Sequence, residues 1–347
     1  MAYTTIDKGS LHFNTKLYTG TAATNAQTGI GFQPDWVWIQ NRGGTYANVV
    51  FDVVRGTTKL LEPNNGSAEN TVSDTLTSFD SDGFTLGADS SNFCNRSSDN
   101  YVAWNWKAGN AQGSANTDGT INTTYTSVNT TAGFSISQYT GTGSAATIGH
   151  GLGVAPDVVI IKSLDQTRIW IVGMEALGDW NKYLALSATD AEQTSSTYFP
   201  SAPTSTLVNL GDGANVNNSS ENYVAYCFAE KQGYSKFGRF TGTGSENGPF
   251  IYTGFKPAWV MIKASSRSTD NWVIVDSKRS TFNPADDALL ANTNGGTDTG
   301  YKRDFLSNGF KIRESGANQN GSGHTFTYMA FAEAPFVGSN DIPATAR

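Results

Sequence analysis

The chain has 347 residues, enough for roughly two or three domains with cores of their own, and is 38 % hydrophobic but only 15 % charged. Globular sequences are typically about a quarter charged, so this surface must be built largely from Ser, Thr, Asn and Gly. The net charge of −7 comes from scattered carboxylates and no basic run is longer than a pair such as Lys278-Arg279, which excludes the electrostatic footprint of a nucleic-acid or anionic-membrane binder.

The N-terminal stretch MAYTTIDKGSLHFNTK has polar residues where a signal peptide needs an apolar core, and nowhere does the chain reach the about 18 apolar residues of a membrane span. Folding in a cytoplasm and no membrane insertion are therefore expected. The stretch from Met1 to Lys16 precedes the first recurring block and has no counterpart before the others. It is a candidate for docking onto a larger assembly, against the plainer reading of a frayed terminus.

Three blocks then recur in one order. An aromatic-Thr-Gly turn opens each unit, at Tyr18, Tyr139 and Phe240; a proline-headed apolar run follows, GFQPDWVWIQ at Pro34, GVAPDVVIIK at Pro156 and GFKPAWVMIK at Pro257. Each unit closes on NYVAWNWKA, NYVAYCFAE or TYMAFAEAP, with Tyr101, Tyr223 and Tyr328 as the matching tyrosines. Self-similarity of this kind decides architecture before any local reading. Between the first and second units lies extra polar sequence, with Ile121, Tyr125 and Val128 alternating through it, which reads as an added hairpin or as a flexible linker.

Inside a unit the signals are short runs rich in Val, Ile, Tyr, Trp and Thr, punctuated by Gly and Asn. The proline-headed run is apolar at both parities, as expected of a central strand covered on both faces with proline at its first position. The expected fold is all-β: three tandem β-sandwich, jelly-roll-like units of about 100 residues each, open to a pseudo-threefold arrangement. The boundaries read as an arm at 1–10, units at 11–110, 133–232 and 236–337, an insertion at 111–132 and a tail at 338–347. The structural anchors are Pro34, Trp36, Tyr101, Pro156, Tyr223, Pro257, Trp259 and Tyr328.

Chemistry has little support. Phe79-Asp-Ser-Asp-Gly-Phe84 resembles the start of a calcium loop, but the third unit carries Phe305-Leu-Ser-Asn-Gly-Phe310 in its place, leaving a tight hairpin turn that needs positive φ. His12, His150 and His324 lack partners at metal-ligand spacing, and neither a nucleophile elbow nor a phosphate loop occurs. Asp35 and Asp157 recur beside proline, which suits turn capping, while Glu69, Asp179 and Glu192 remain open to pairing in space as a glycosidase would require. Cys94 and Cys227 read as free thiols. No cofactor, metal or catalytic residue is expected. Trp170, Trp180 and Trp272, outside the repeated runs, are candidate surface faces for a sugar or a protein, weighed against core packing.

Over almost its whole length, from MAYTTIDKGSLHFNTKLYTG through GFQPDWVWIQNR, TSFDSDGFTLG and NYVAYCFAEKQGYSKFGRF to YMAFAEAPF, the chain resembles uncharacterised structural proteins of tailed, chiefly marine, bacteriophages. The resemblance implies a protein on the virion, assembled in the host cytoplasm: a non-enzymatic tail fibre or appendage for host attachment, with a capsid decoration protein or a glycan-binding or glycan-cleaving tailspike as the alternatives. Its partners would be other virion proteins, further copies in a homotrimer, and a host envelope glycan.

Overall fold

Residues 3–338 are described by the structure, a computed structural model, and 41 % strand against 4 % helix makes the chain all-β. Met1, Ala2 and residues 339–347 of the expected tail lie outside the described residues.

Three main sheets are each built around an anchor strand, Trp36–Asn41, Val158–Ser163 or Phe255–Ala264. One run of five strands is common to all three, an opening strand, a closing strand, the anchor, then two strands that follow it in sequence, with Asn70–Thr71 added to the first sheet and Tyr125–Asn129 and Gln193–Thr194 to the second. Opening and closing strands are Phe13–Thr19 with Asn100–Trp106, Phe134–Thr140 with Asn222–Phe228, and Ser235–Thr241 with Thr325–Pro335, all paired antiparallel. Expectation and structure agree that the proline-headed runs lead into central strands covered on both faces. Every residue of Trp36–Asn41 and Val158–Ser163 is buried, as apolar side chains at both parities demand.

One face of each main sheet is covered by a small sheet. Val37, Ile39, Tyr101 and Ala103 meet Leu76, Phe84 and Leu86; Val159, Ile161 and Ala225 meet Ile148, Val208 and Leu210. The other faces turn towards one another and share a single core. Trp36 lies 4.9 Å from Tyr226, Trp106 lies 5.5 Å from Trp259, and Phe228 lies 5.9 Å from Phe331, ring centre to ring centre. Each of these contacts joins a different pair of sheets.

Several expectations need correction. Pro34 and Pro156 are buried but precede their strands by two positions, and Pro257 sits inside its strand at a break in register, since a residue without N–H cannot continue a ladder. Tyr328 is not the counterpart of Tyr101 and Tyr223. Those two pair with Tyr18 and Tyr139, and the equivalent partner of Phe240 is Phe326, two residues before Tyr328. The stretch 111–132 is no linker: it carries Ile121 into the second core, and beyond it Tyr125–Asn129 adds an edge strand to the second main sheet. The N-terminal arm is not a free docking segment either. Tyr3 donates to Gly254 O, Thr4 donates to Gln232 O and Ile6 is buried, so residues 3–10 are fastened onto the third sheet's end of the chain. The hairpins at Asp80-Gly83 and Leu306-Gly309 form as expected, but neither Asp82 nor Asn308 takes a positive φ.

A device that the repeated runs do not announce holds each opening turn. Asn95, Asn217 and Asn320 are fully buried; the side-chain oxygen of each accepts the N–H of Thr21, Thr142 or Thr243, and the amide nitrogen donates to two backbone carbonyls. The glycine beside each threonine has no room for a side chain. A Cβ on Gly141 would stand 2.3 Å from Asn218 O. Replacing Asn217 by Ala takes the side-chain partner from the Thr142 N–H and from the Ser144 and Gly211 carbonyls, of which the last contact is buried, so urea unfolding should register a loss of about 1–3 kcal/mol. A loss below about 1 kcal/mol would show that the clamp is not a structural requirement.

Candidate functional site

The three candidate surface tryptophans are buried, with Trp170 0 %, Trp180 5 % and Trp272 2 % exposed. Their indole N–H groups are also engaged: Trp180 donates to Glu175 Oε2, Trp170 to Glu62 O and Asn65 O, and Trp272 to Ala185 O. None offers a free stacking face.

Trp170 and Trp272 belong instead to a ring of contacts between sheets. At the matching place in the first sheet, Asn48 donates to Ala291 O and Thr293 O. The first sheet thus donates to the third, the second to the first and the third to the second, which closes the circle. A second set lies deeper. Tyr226 donates to Asp52, which is paired with Arg55; Trp104 donates to Asp276, which is paired with Arg279; all six residues are buried. At the third boundary the registers put Met329 where Tyr226 and Trp104 stand, and Met174 where Asp52 and Asp276 stand. The ion pair is therefore present as a set or absent as a set, as expected when leaving one partner alone in a dry core costs about 3–5 kcal/mol.

At the far end of the shared core, Gln40, Lys162 and Lys263 share the strand parity of Trp36, Val158 and Trp259. Gln40 donates to Leu290 O and Gly295 O, Lys263 to Thr189 O and Ala264 O, and Lys162 to Ser163 O and Gln166 O. Burial, reinforced by Arg168 and Arg55, pulls the Lys162 ammonium down to about 7, and burial pulls Lys263 down to about 8.

The acidic residues and histidines have local tasks. Asp35 accepts the N–H groups of Ala108 and Asn110, and Asp157 accepts that of Glu230, so both cap the chain as it leaves a closing strand. Burial lifts Asp35 to about 6. Glu69 binds Arg55 and Lys59, Glu192 binds Lys182, and Asp179 accepts the N–H of Asn181, so these three do not pair with one another. His150 accepts the N–H of Leu152 at Nδ1 and faces Thr204 O with Nε2. Cys94 and Cys227 are free and buried. Among the described residues, no cluster of His, Cys, Asp and Glu is arranged to hold a metal ion, and no helix is long and apolar enough to cross a membrane.

An open cleft of about 470 Å³ lies just past the end of the first anchor strand, with Arg42, Tyr46, Arg96 and Asp99 in its walls and Thr297, from the loop after Ala288–Leu290, at its edge. Little in the repeated runs marks it, because most of its residues come from the loops after the anchor strand and before the closing strand.

The chain belongs to a family defined by a domain of unknown function (DUF7483), whose model matches residues 8–335. No curated protein and no solved structure matches the chain at a significant level.

Two measurements probe the buried polar set. Trp104→Phe removes a donor to Asp276, whereas the Trp106 indole N–H has no partner among the described residues; by chemical unfolding Trp104→Phe should cost about 1–3 kcal/mol more than Trp106→Phe. Equal costs would mean that the donor adds nothing. For lysines whose pKa is depressed on folding, the unfolded chain binds more protons between the folded and ordinary values. Stability must therefore rise with pH from about 7 for Lys162, and about 8 for Lys263, towards the ordinary lysine value of 10.5. Lys162→Met should flatten that rise in unfolding curves recorded at pH 7, 8 and 9; an unchanged slope would place the charged ammonium in the folded state.

Proposed function

We propose that this chain is a non-enzymatic structural protein on the surface of a tailed-phage particle, mounted as a tail fibre or shorter appendage that contacts the host envelope. The observation that carries the reading is the closure of three sheets with a common five-strand order about a single aromatic core. We read these sheets as three copies of one β-sandwich unit in a pseudo-threefold arrangement, the geometry suited to an axial appendage. The resemblance to phage structural proteins supports the same assignment, as does a low-charge surface assembled from Ser, Thr, Asn and Gly. The buried polar groups join sheet to sheet, which is what a scaffold requires.

A second reading, a capsid decoration protein, is favoured by the presence of all three sheets in one chain, which could occupy a threefold lattice position as a single copy. Antibody-gold labelling of intact particles of the source phage separates the two: label at the tail is expected, label over the head would transfer the protein to the capsid, and particles without label would overturn both. A chain that closes its own core has no need of partners to do so, and the homotrimer drawn from the fibre analogy loses that motive. Light scattering of the purified protein should give the mass of one 37.0 kDa chain, and a trimer mass would restore the homotrimer.

A further inference from the structure

The cleft past the first anchor strand is built rather than incidental. Asn41 is buried there; its Oδ1 accepts the N–H groups of Gly43 and Gly44 at 2.9 and 2.8 Å, and its amide nitrogen donates to Asp99 at 2.8 Å. A side chain at residue 44 would collide with the Tyr46 ring, since a Cβ on Gly44 would stand 2.7 Å from Cε2. The glycine therefore lets the tyrosine lie against its own loop. The Arg96 guanidinium sits 5.3 Å from the centre of that ring and only 3.4 Å, a loose ion-pair distance, from Asp99. Arg42 Nε is buried and, among the described residues, has no hydrogen-bond partner. Two arginines and one carboxylate thus line the cleft, in a protein of net charge −7.

The second sheet shows what the same place looks like when it is closed. Counted from the anchor strand, Arg168 stands where Tyr46 does, and Glu221 precedes its closing tyrosine as Asp99 does. Arg168 grips Glu221 through Nε and Nη2 at 2.8 and 2.6 Å, and that bidentate pair holds the Glu221 carboxyl down at about 2. An arginine fork saturated by its own carboxylate has nothing to offer a ligand. In the first sheet the fork is left open, with an aromatic face beside it.

Resting on the attachment reading, we propose that this cleft binds an acidic sugar, a uronic or sialic acid residue of a host surface glycan. Arg42 and Arg96 take the carboxylate, the sugar ring lies against Tyr46, and Asp99 and Ser98 accept and donate to its hydroxyls. The cleft volume of about 470 Å³ falls within the usual range for small-molecule sites, about 300–1,000 Å³. Guanidinium pairs match planar carboxylates in two-point contact, and a hydroxyl-rich partner explains why the remaining wall is amide, hydroxyl and carboxylate rather than apolar.

Ligand-detected NMR on the full chain tests this, with methyl glucuronide and N-acetylneuraminic acid as probes, and with neutral methyl glucoside and inorganic phosphate as controls. Both acidic sugars should bind and the glucoside should not. Arg42→Gln and Tyr46→Ala should each weaken binding about tenfold or more, whereas Arg168→Gln at the closed counterpart should leave it unchanged. Tyr46→Ala, in an exposed loop, keeps the test decisive if Arg42→Gln fails to fold. Absence of acidic-sugar binding, binding indifferent to both cleft variants, or phosphate binding as tightly as the sugars would overturn the proposal. Particle labelling without sugar binding would sink this inference alone; sugar binding by a protein absent from particles would sink the attachment reading alone.

Discussion

Trp36, Trp38, Trp104 and Trp106 all project from the same face of one sheet into the core that it shares with the other two. The small sheet of Leu76, Phe84 and Leu86 protects only the opposite face. Aromatic side chains bury roughly 150–250 Å² each, so a first sheet standing alone would expose a wide apolar surface, and Asp52 would lose its hydrogen bond from Tyr226. The same holds for the faces carrying Tyr226 and Phe228 and for those carrying Trp259 and Phe331. Closure of the three sheets about one another is the condition under which any of them is stable. The outer cores of the first and second sheets are separate clusters, whereas that of the third runs into the central one, which is the seat of cooperativity between the parts of the chain.

The polar groups at the sheet boundaries follow from that condition. An apolar contact between three similar faces would tolerate more than one arrangement of neighbours, whereas a tyrosine hydroxyl on an aspartate that is already held by an arginine tolerates one. The boundary that dispenses with the ion pair replaces every member at once, with Met329 and Met174 in the places of donor and acceptor. The outer ring of donors adds direction, because Asn48, Trp170 and Trp272 each reach the backbone of a different neighbour. Three sheets on one chain need not be identical. That freedom is what allows the same site to be sealed by Arg168 and Glu221 in one sheet and left open beside Tyr46 in another.

The sequence makes the anchor strands plain, since apolar residues at both parities from Trp36 to Ile39 have no other comfortable environment, and it makes the all-β class plain with them. It does not show how the sheets meet. Whether a buried tryptophan such as Trp272 serves an outer core, an interface or a solvent-facing platform depends on what lies across from it, and strand periodicity is silent on the partner. Tyr328 misleads for a related reason: tyrosine in a similar word invites alignment, but register is set by pairing with Phe240, which selects Phe326. The asparagine clamp was legible in principle, because Asn95, Asn217 and Asn320 each stand at one spacing before Tyr101, Tyr223 and Phe326. Its signal is a single polar residue within loops of otherwise changeable length, where apolar patterning gives no guide. The cleft shares that difficulty, being assembled from two loops whose residues are ordinary one by one.

The fastening of the N-terminal segment onto the third sheet has a geometric consequence. Tyr3 meets Phe336 edge to face, with ring centres 6.4 Å apart, and Tyr3 also binds Gly254 just before the third anchor strand begins. The two described ends of the polypeptide therefore emerge together at the pole where that strand starts. The cleft opens past the residue where the first anchor strand stops, beside Thr297 and close to the finish of its neighbour. A body held at those two described ends would sit at the same pole, and a molecule so mounted would turn the Tyr46 loop away from its support, like the free tip of a short stalk.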